Sequence, residues 1–404
     1  MIQKFASGVK NYVKHLSTYK NCTNNLKGLK MKLIKGNKVF IDGCFQKASI
    51  YHDDGIIKKI TDEDLKCDQV IDVGDDYIVP GFIDIHTHGA VNVDFADASP
   101  EQIIQAVKYH LSNGVTAIMP TITSSTKEKI LSGLKNIKLA MRDPIYGRCI
   151  IGAHLEGPYL SQEQSGAQEK SLITEPIEKD YKEILEKYGN VIKRWDYAPE
   201  QDVDAKFCKC LRENGVLPSA GHTNAKYCDM LLAKENGCNL ITHFYSCTST
   251  ITRERGVRKL GVVECGYLWD DMYVEIIADG MHLPYELLQL IFKLKAKDKI
   301  ILISDSLKVT GSSEKYSSVG NVKCVIEDGV CKLLDRSAFA GSIASGVRLV
   351  KTCVQAGIDI VDAINAFTKN PARLLNEKRG MIKEGNVANF VVLDKEINVK
   401  KVII

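Results

Sequence analysis

Six of the nine histidines in the sequence stand at or just beyond the C-terminal end of a short apolar run: His86, His88, His154, His222, His243 and His282. Glu156, in HLEGP, and Asp305, in ISDS, end runs of the same kind. Imidazoles and carboxylates are the usual ligands of zinc-like ions and the commonest proton-transfer groups. Histidines scattered through a core would not choose the same end of each run. His86-Thr87-His88 puts two imidazoles at i and i+2, which on a strand point to one side and make a workable ligand pair. Glu156, His222 and His243 add two histidines and one carboxylate with room for water, a donor set that suits zinc or ferrous iron. Asp305 is followed by LKVTGSS, which is not helical. That weakens a helix-capping role and favours acid–base chemistry. His282, in ADGMH, lies slightly beyond its run, further from a metal and nearer a substrate. The chemistry such a set supports is hydrolysis, because a divalent metal lowers the pKa of its water from about 15.7 to about 7.

These residues need a scaffold that brings strand ends together. The runs YIVPGFIDIH, TAIMPTI, CIIGAHLEG, VIKRWDYAPE, VLPSAGH, LITHFY, YVEIIAD and KIILISDS read as eight strands, with amphipathic helices between most of them. Ser99-Pro100-Glu101-Gln102 opens one helix as a capping box with proline in the first turn, and Pro284 opens another. Eight strands with crossover helices predict an α/β fold, a (β/α)8 TIM-type barrel, whose active site lies at the C-terminal ends of its strands. Residues 31–77 read as short strands, with a hairpin at Asp53-Asp54-Gly55, and NVANFVVLDKEINVKKVII near the other end is strand-like again. Segments 31–77 and 376–404 are therefore expected to form a small β-sandwich domain beside a barrel of residues 78–375.

Bulk properties narrow the function classes. With 404 residues, 45% of them hydrophobic, the chain can bury a large core and a second small domain. Residues 1–30 hold six lysines and no acid, so the net charge of +4 becomes −2 for the remainder. This segment is expected to be appended or loosely ordered; it lacks the apolar stretch of a signal peptide. No basic stripe points to nucleic acid, and no run is long and apolar enough for a membrane span. Thirteen scattered cysteines, an odd number, suggest free thiols in a reducing compartment, hence the cytoplasm.

The motifs PGFIDIHTHG, HLEGP, AGHTNA, THFY, RERG, ADGMH, SD and AGS occur in that order. In them the chain resembles the amidohydrolase superfamily, and within it the N-acetylglucosamine-6-phosphate deacetylase family. The resemblance covers nearly everything after residue 30. It implies that Glu156, His222 and His243 hold a principal metal and that His86 and His88 allow a second, with Glu156 bridging. Asp305 would be the general acid–base, also near the metal, and His282 would contact the reacting amide. Arg253 would match a phosphate-binding arginine that reaches into the partner's site of a homodimer. Phe339, Ala340 and Gly341 would touch the sugar of a sugar-phosphate substrate. Two places depart from the family pattern: Gly166-Ala167-Gln168 where it has G-A-H, and Ser246-Cys247-Thr248 where it has N-A-M. Both lie on the sugar-phosphate side, where Ala167, Gln168, Ser246 and Cys247 are expected to line the site. A related amidohydrolase acting on another N-acylated sugar phosphate or amide, and a catalytically silent barrel used for binding, stay open at this stage.

Overall fold

A computed structural model of the chain describes residues 31–404; the expectation for residues 1–30 lies outside them. All eight runs expected in the barrel contain barrel strands: Phe82–Thr87, Val115–Thr123, Ala153–Glu156, Ile192–Tyr197, Leu217–Ala220, Leu240–Ile241, Tyr273–Ile276 and Ile300–Leu302. They pair in parallel, each with the next in sequence. The circle closes where the last strand returns to the first. Asp305 N donates to His86 O, and His88 N donates to Ser306 O, both at 2.9 Å. The fold is therefore a (β/α)8 barrel, and the backbone of the candidate site residues is its seam.

Alternation along the strands sorts side chains into two cores. On the seventh strand Tyr273 and the following Ile277 join Ile83, Met119, Leu240, Ile301 and Ile303 in a cluster that fills the lumen. Val274 and Ile276 join the outer shell, against helix residues such as Leu288 and Ile291. Between Tyr273 and Ile277 the lumen face carries Glu275, fully buried. The helix Pro100–Ser112 has the expected capping box at Ser99, with Pro100 in its first turn. Pro284, by contrast, is the N-cap residue of the helix Tyr285–Leu294 and lies just outside it, in extended backbone.

YIVPGFIDIH, read above as one strand, is two. Tyr77–Pro80 pairs with Lys32–Ile41 and Phe390–Leu393 in the small domain, and Phe82–Thr87 starts the barrel. The break falls at Gly81, where an added Cβ would lie 1.9 Å from Thr116 Oγ1. The boundary thus follows Pro80 rather than residue 77. The small β domain is one seven-stranded sheet built from both ends of the described chain. It has its own apolar cluster, including Ile34, Val39, Ile50, Ile78, Phe390 and Val392. Its Asp54-Gly55 turn has φ of +48° and +69°, as a two-residue hairpin turn requires.

An unforeseen element follows the last barrel strand. Tyr316–Val319, Val322–Glu327, Val330–Leu333 and Phe339–Gly341 form a four-stranded antiparallel sheet, inserted before the helix Gly346–Gln355. Its tight turns at Gly320-Asn321 and Asp328-Gly329 are visible in the sequence, but the reading above saw only that LKVTGSS is not helical. Among the described residues no helix is long and apolar enough to cross a membrane.

Gly89 shows how tightly the seam is built. Its φ is +156°, and an added Cβ would sit 1.9 Å from the backbone oxygen of Val93. Gly89→Ala should lower unfolding free energy in urea by about 1–3 kcal/mol and disturb the adjacent His88. An unchanged urea midpoint would refute this account of the seam.

Candidate active site

The strand ends open into a cavity of about 180 Å³. It is lined by His88, Glu156, His222, His243, His282 and Asp305, together with Ala167, Gln168, Ser246, Cys247, Phe339, Ala340 and Gly341. Thr123, Val319 and Ala338 complete the wall, and Val319 comes from the inserted sheet that sequence reasoning missed. His86 lies just behind, fully buried. Of the residues singled out from sequence two are elsewhere: His154 is fully buried below the cavity, and Arg253 is exposed on the hairpin of Thr252–Glu254 and Val257–Lys259. No lysine or arginine lines the cavity among the described residues.

Glu156, His222 and His243 converge from the third, fifth and sixth strand ends. Both imidazole Nε2 atoms approach Glu156 Oε1, at 3.0 and 3.1 Å, and lie 3.1 Å from each other. Their Nδ1 atoms face backbone carbonyls, Gln164 O at 2.8 Å and Ser246 O at 3.0 Å. A carbonyl only accepts, so each Nδ1 carries the hydrogen, and in neutral rings each Nε2 presents a lone pair. Two lone pairs and a carboxylate oxygen then point at one spot, an arrangement that needs a cation between them. The donor set therefore fits a divalent metal. Before a cation binds, protons answer the same need. Burial pushes Glu156 up, but the imidazoles of His86 and His222 hold it well below the usual carboxylate range. Burial lowers His222, and Cys247 and Glu156 raise it well above the ordinary imidazole value.

His86, His88 and Asp305 make a second donor set beside the first. The His86 and His88 Nε2 atoms lie 3.5 and 3.1 Å from Asp305 Oδ1, so the i, i+2 pair does face one side. Glu156 borders this set too, with Oε1 at 3.3 Å from His86 and Oε2 at 3.4 Å from His88. Burial raises Asp305, and its contacts with His88 and His86 lower it more. Burial lowers His86, and Glu156 with Glu275 and Asp305 carries it well above its ordinary value.

Three of these residues sit in left-handed backbone: His222 at φ +46°, His243 at +27° and Asp305 at +45°. Such geometry costs about 1–3 kcal/mol per residue and concentrates at functional sites. His282 is aimed by Asp279, which the sequence reading did not single out: Nδ1 lies 2.8 Å from Asp279 Oδ2. That leaves Nε2 for whatever enters, with the Phe339 ring 4.9 Å away. Gln168 reaches the cavity, but its amide is engaged within the chain. Its Nε2 donates to Glu156 Oε2 at 2.7 Å, and its Oε1 accepts from Ser124 N at 2.8 Å. It fastens the carboxylate rather than offering a free donor. His154 stands below the rim, where burial and the Arg194 guanidinium push it down to about 3 and keep it neutral. Arg194, Asp196 and Glu275, all buried in the lumen, also escaped the sequence reading, because KRWDY and YVEII look like ordinary strands.

The sequence profile of the amidohydrolase family matches residues 77–404. An N-acetylglucosamine-6-phosphate deacetylase of Bacillus subtilis (strain 168) is 28% identical over 333 residues, 80% of this chain and 82% of that one. The crystal structure of the N-acetylglucosamine-6-phosphate deacetylase from Pasteurella multocida matches with a TM-score of 0.86 at 25% identity, covering 93% of this chain and 98% of that one. The corresponding Thermotoga maritima structure matches with a TM-score of 0.81 at 27% identity, over 92% and 97% of the two chains.

The raised His86 and His222 make metal uptake pH-dependent. Near neutral pH each holds a proton that a metal must displace. Acid therefore weakens binding, and affinity climbs with pH until both rings are free of the extra proton. Zinc titrations at about pH 6 and about pH 8 should show tighter binding at the higher pH, with calorimetric proton release in buffers of different ionisation enthalpy. Equal affinity at both would contradict this.

Proposed function

The chain belongs to the amidohydrolase family, and from that membership and the rim geometry we propose that it hydrolyses N-acetylglucosamine-6-phosphate to glucosamine-6-phosphate and acetate, a step of amino-sugar catabolism. The observation that carries the reading is the convergence of Glu156, His222 and His243 with Asp305 and His282 in one cavity. The named relatives support the acyl group and the sugar phosphate.

A divalent cation held by Glu156, His222 and His243, zinc or ferrous iron by its donor set, supplies positive charge that acidifies water and polarises a carbonyl when bound. The chain's own groups handle the protons. Asp305 takes the proton of the attacking water as the C–O bond forms, then gives it to the amide nitrogen as the C–N bond breaks. Acetate and a free amine result. His282, fixed through Nδ1 by Asp279, meets the reacting amide through Nε2. Phe339, Ala340 and Gly341 bound the sugar, with Ser246 and Cys247 also in the cavity wall. Among the described residues no lysine or arginine lines the cavity, which supports a homodimer in which Arg253 of a second copy holds the phosphate. Exposed Val257, Ile251 and Leu268 around that hairpin suit a covered face. The described cysteines are all free, which supports a cytoplasmic setting.

The Ser246-Cys247 wall and the engaged Gln168 amide favour, as a second reading, a different N-acylated sugar phosphate. Acetate release from N-acetylglucosamine-6-phosphate, with added zinc or ferrous ion and with chelator, separates the two. Metal-dependent release supports the proposal; bound metal without release moves the substrate elsewhere. Asp305→Asn should cut kcat by about 10²–10⁴-fold and keep metal at Glu156, His222 and His243; near-normal turnover would remove Asp305 from the mechanism. Arg253→Ala should raise KM for the phosphorylated sugar far more than it lowers kcat. Equal KM values for parent and variant would end the phosphate assignment.

A further inference from the structure

Below the cavity, in the lumen, lie an arginine and two carboxylates that take no direct part in the proposed hydrolysis. Arg194, Asp196 and Glu275 are all fully buried. Arg194 Nη2 donates to Asp196 Oδ1 and Thr242 Oγ1 at 2.9 Å and to Glu275 Oε2 at 3.1 Å, and its Nη1 pairs with Glu275 Oε1. Neighbouring lumen positions hold Ile83, Met119 and Ile303. Apolar groups in place of a buried ion pair are often neutral or stabilising, so stability alone is a weak reason for these charges.

The network meets the rim at one imidazole. His86 turns Nε2 to the cavity and Nδ1 to the lumen, where Glu275 Oε2 is 3.6 Å away. That Nδ1 is buried and has no hydrogen-bond partner. Where His222 and His243 have backbone carbonyls at Nδ1, His86 has a carboxylate. The His154 ring packs edge-on against His86, with centroids 4.5 Å apart. It stands between Thr121 Oγ1 and Asp196 Oδ1, each at 3.0 Å. Arg194 therefore holds both Glu275 and Asp196, and these two acids flank the surroundings of His86.

We propose that Glu275, clamped by Arg194, is a positioning residue for His86, keeping the hydrogen on Nδ1 and the Nε2 lone pair toward the cavity, and so sets how firmly the His86–His88–Asp305 face retains a divalent cation. Outer carboxylates of this kind orient metal-ligating histidines and raise their basicity. The inference rests on the reading of the rim as a metal centre and extends it to a second ion.

Cobalt titration followed by visible absorption, with elemental analysis of zinc-loaded protein, tests it on the full chain. The parent should take up about two ions. Glu275→Gln should keep the first cobalt band, bind the second ion about 10–100-fold more weakly and recover the second band at high cobalt. A purely structural Glu275 would lower the unfolding midpoint and leave both cobalt affinities as in the parent, which overturns the proposal, as does a parent that retains a single ion. Should Glu275→Gln fail to fold, Glu275→Asp keeps the charge beside Arg194, shortens its reach toward His86 Nδ1 and is read in the same way. A parent that binds no cobalt sinks the metal-centre reading and this inference with it.

Discussion

Glu156 Oε1 has three imidazole nitrogens, from His222, His243 and His86, within 3.3 Å, and the carboxylate is almost wholly withdrawn from water. Desolvating an anion costs several kcal/mol or more unless positive charge comes with it. Most of the rim answers that requirement. The carbonyls of Gln164 and Ser246 turn two lone pairs inward, and Gln168 fastens the outer oxygen. The seam hydrogen bonds of the barrel run through His86, His88, Asp305 and Ser306, so closing the fold and assembling the site are one event.

A strand that simply continues would carry successive side chains to alternate faces. The left-handed residues His222, His243 and Asp305 break that alternation at the rim and swing their side chains toward the barrel axis. The cost is local and the lumen cluster below offsets it. Burial of the rim side chains keeps water off them, so their charges act strongly.

The cavity is assembled from parts with different histories in the chain. Strand ends give the side that carries the histidine and carboxylate donors. The inserted sheet gives Val319, Phe339, Ala340 and Gly341, and an Asp279 outside the cavity aims His282 within it. The cationic partner a phosphate needs is not among the described walls. Arg253, on an exposed hairpin, enters only through the proposed second copy of the chain.

Much of this was legible in local pattern. Eight apolar runs, six of them ending in or just before a histidine or carboxylate singled out for chemistry, imply eight strands with one functional end, because the barrel places all such ends on one rim. His86, His88, Glu156, His222, His243, His282 and Asp305 could be named from that rule alone. Other features depend on partners far away in sequence. The split at Gly81 is set by Thr116 across the barrel wall. Gln168 was expected only to line the site, and it is the fold that ties its amide to Glu156. Arg194 and Glu275 read as ordinary strand residues, and only the closed barrel turned both inward and paired them under His86. Periodicity along a chain determines which face a residue takes. What stands opposite that face is decided by closure, and the electrostatics of a buried site depend on exactly those opposite groups.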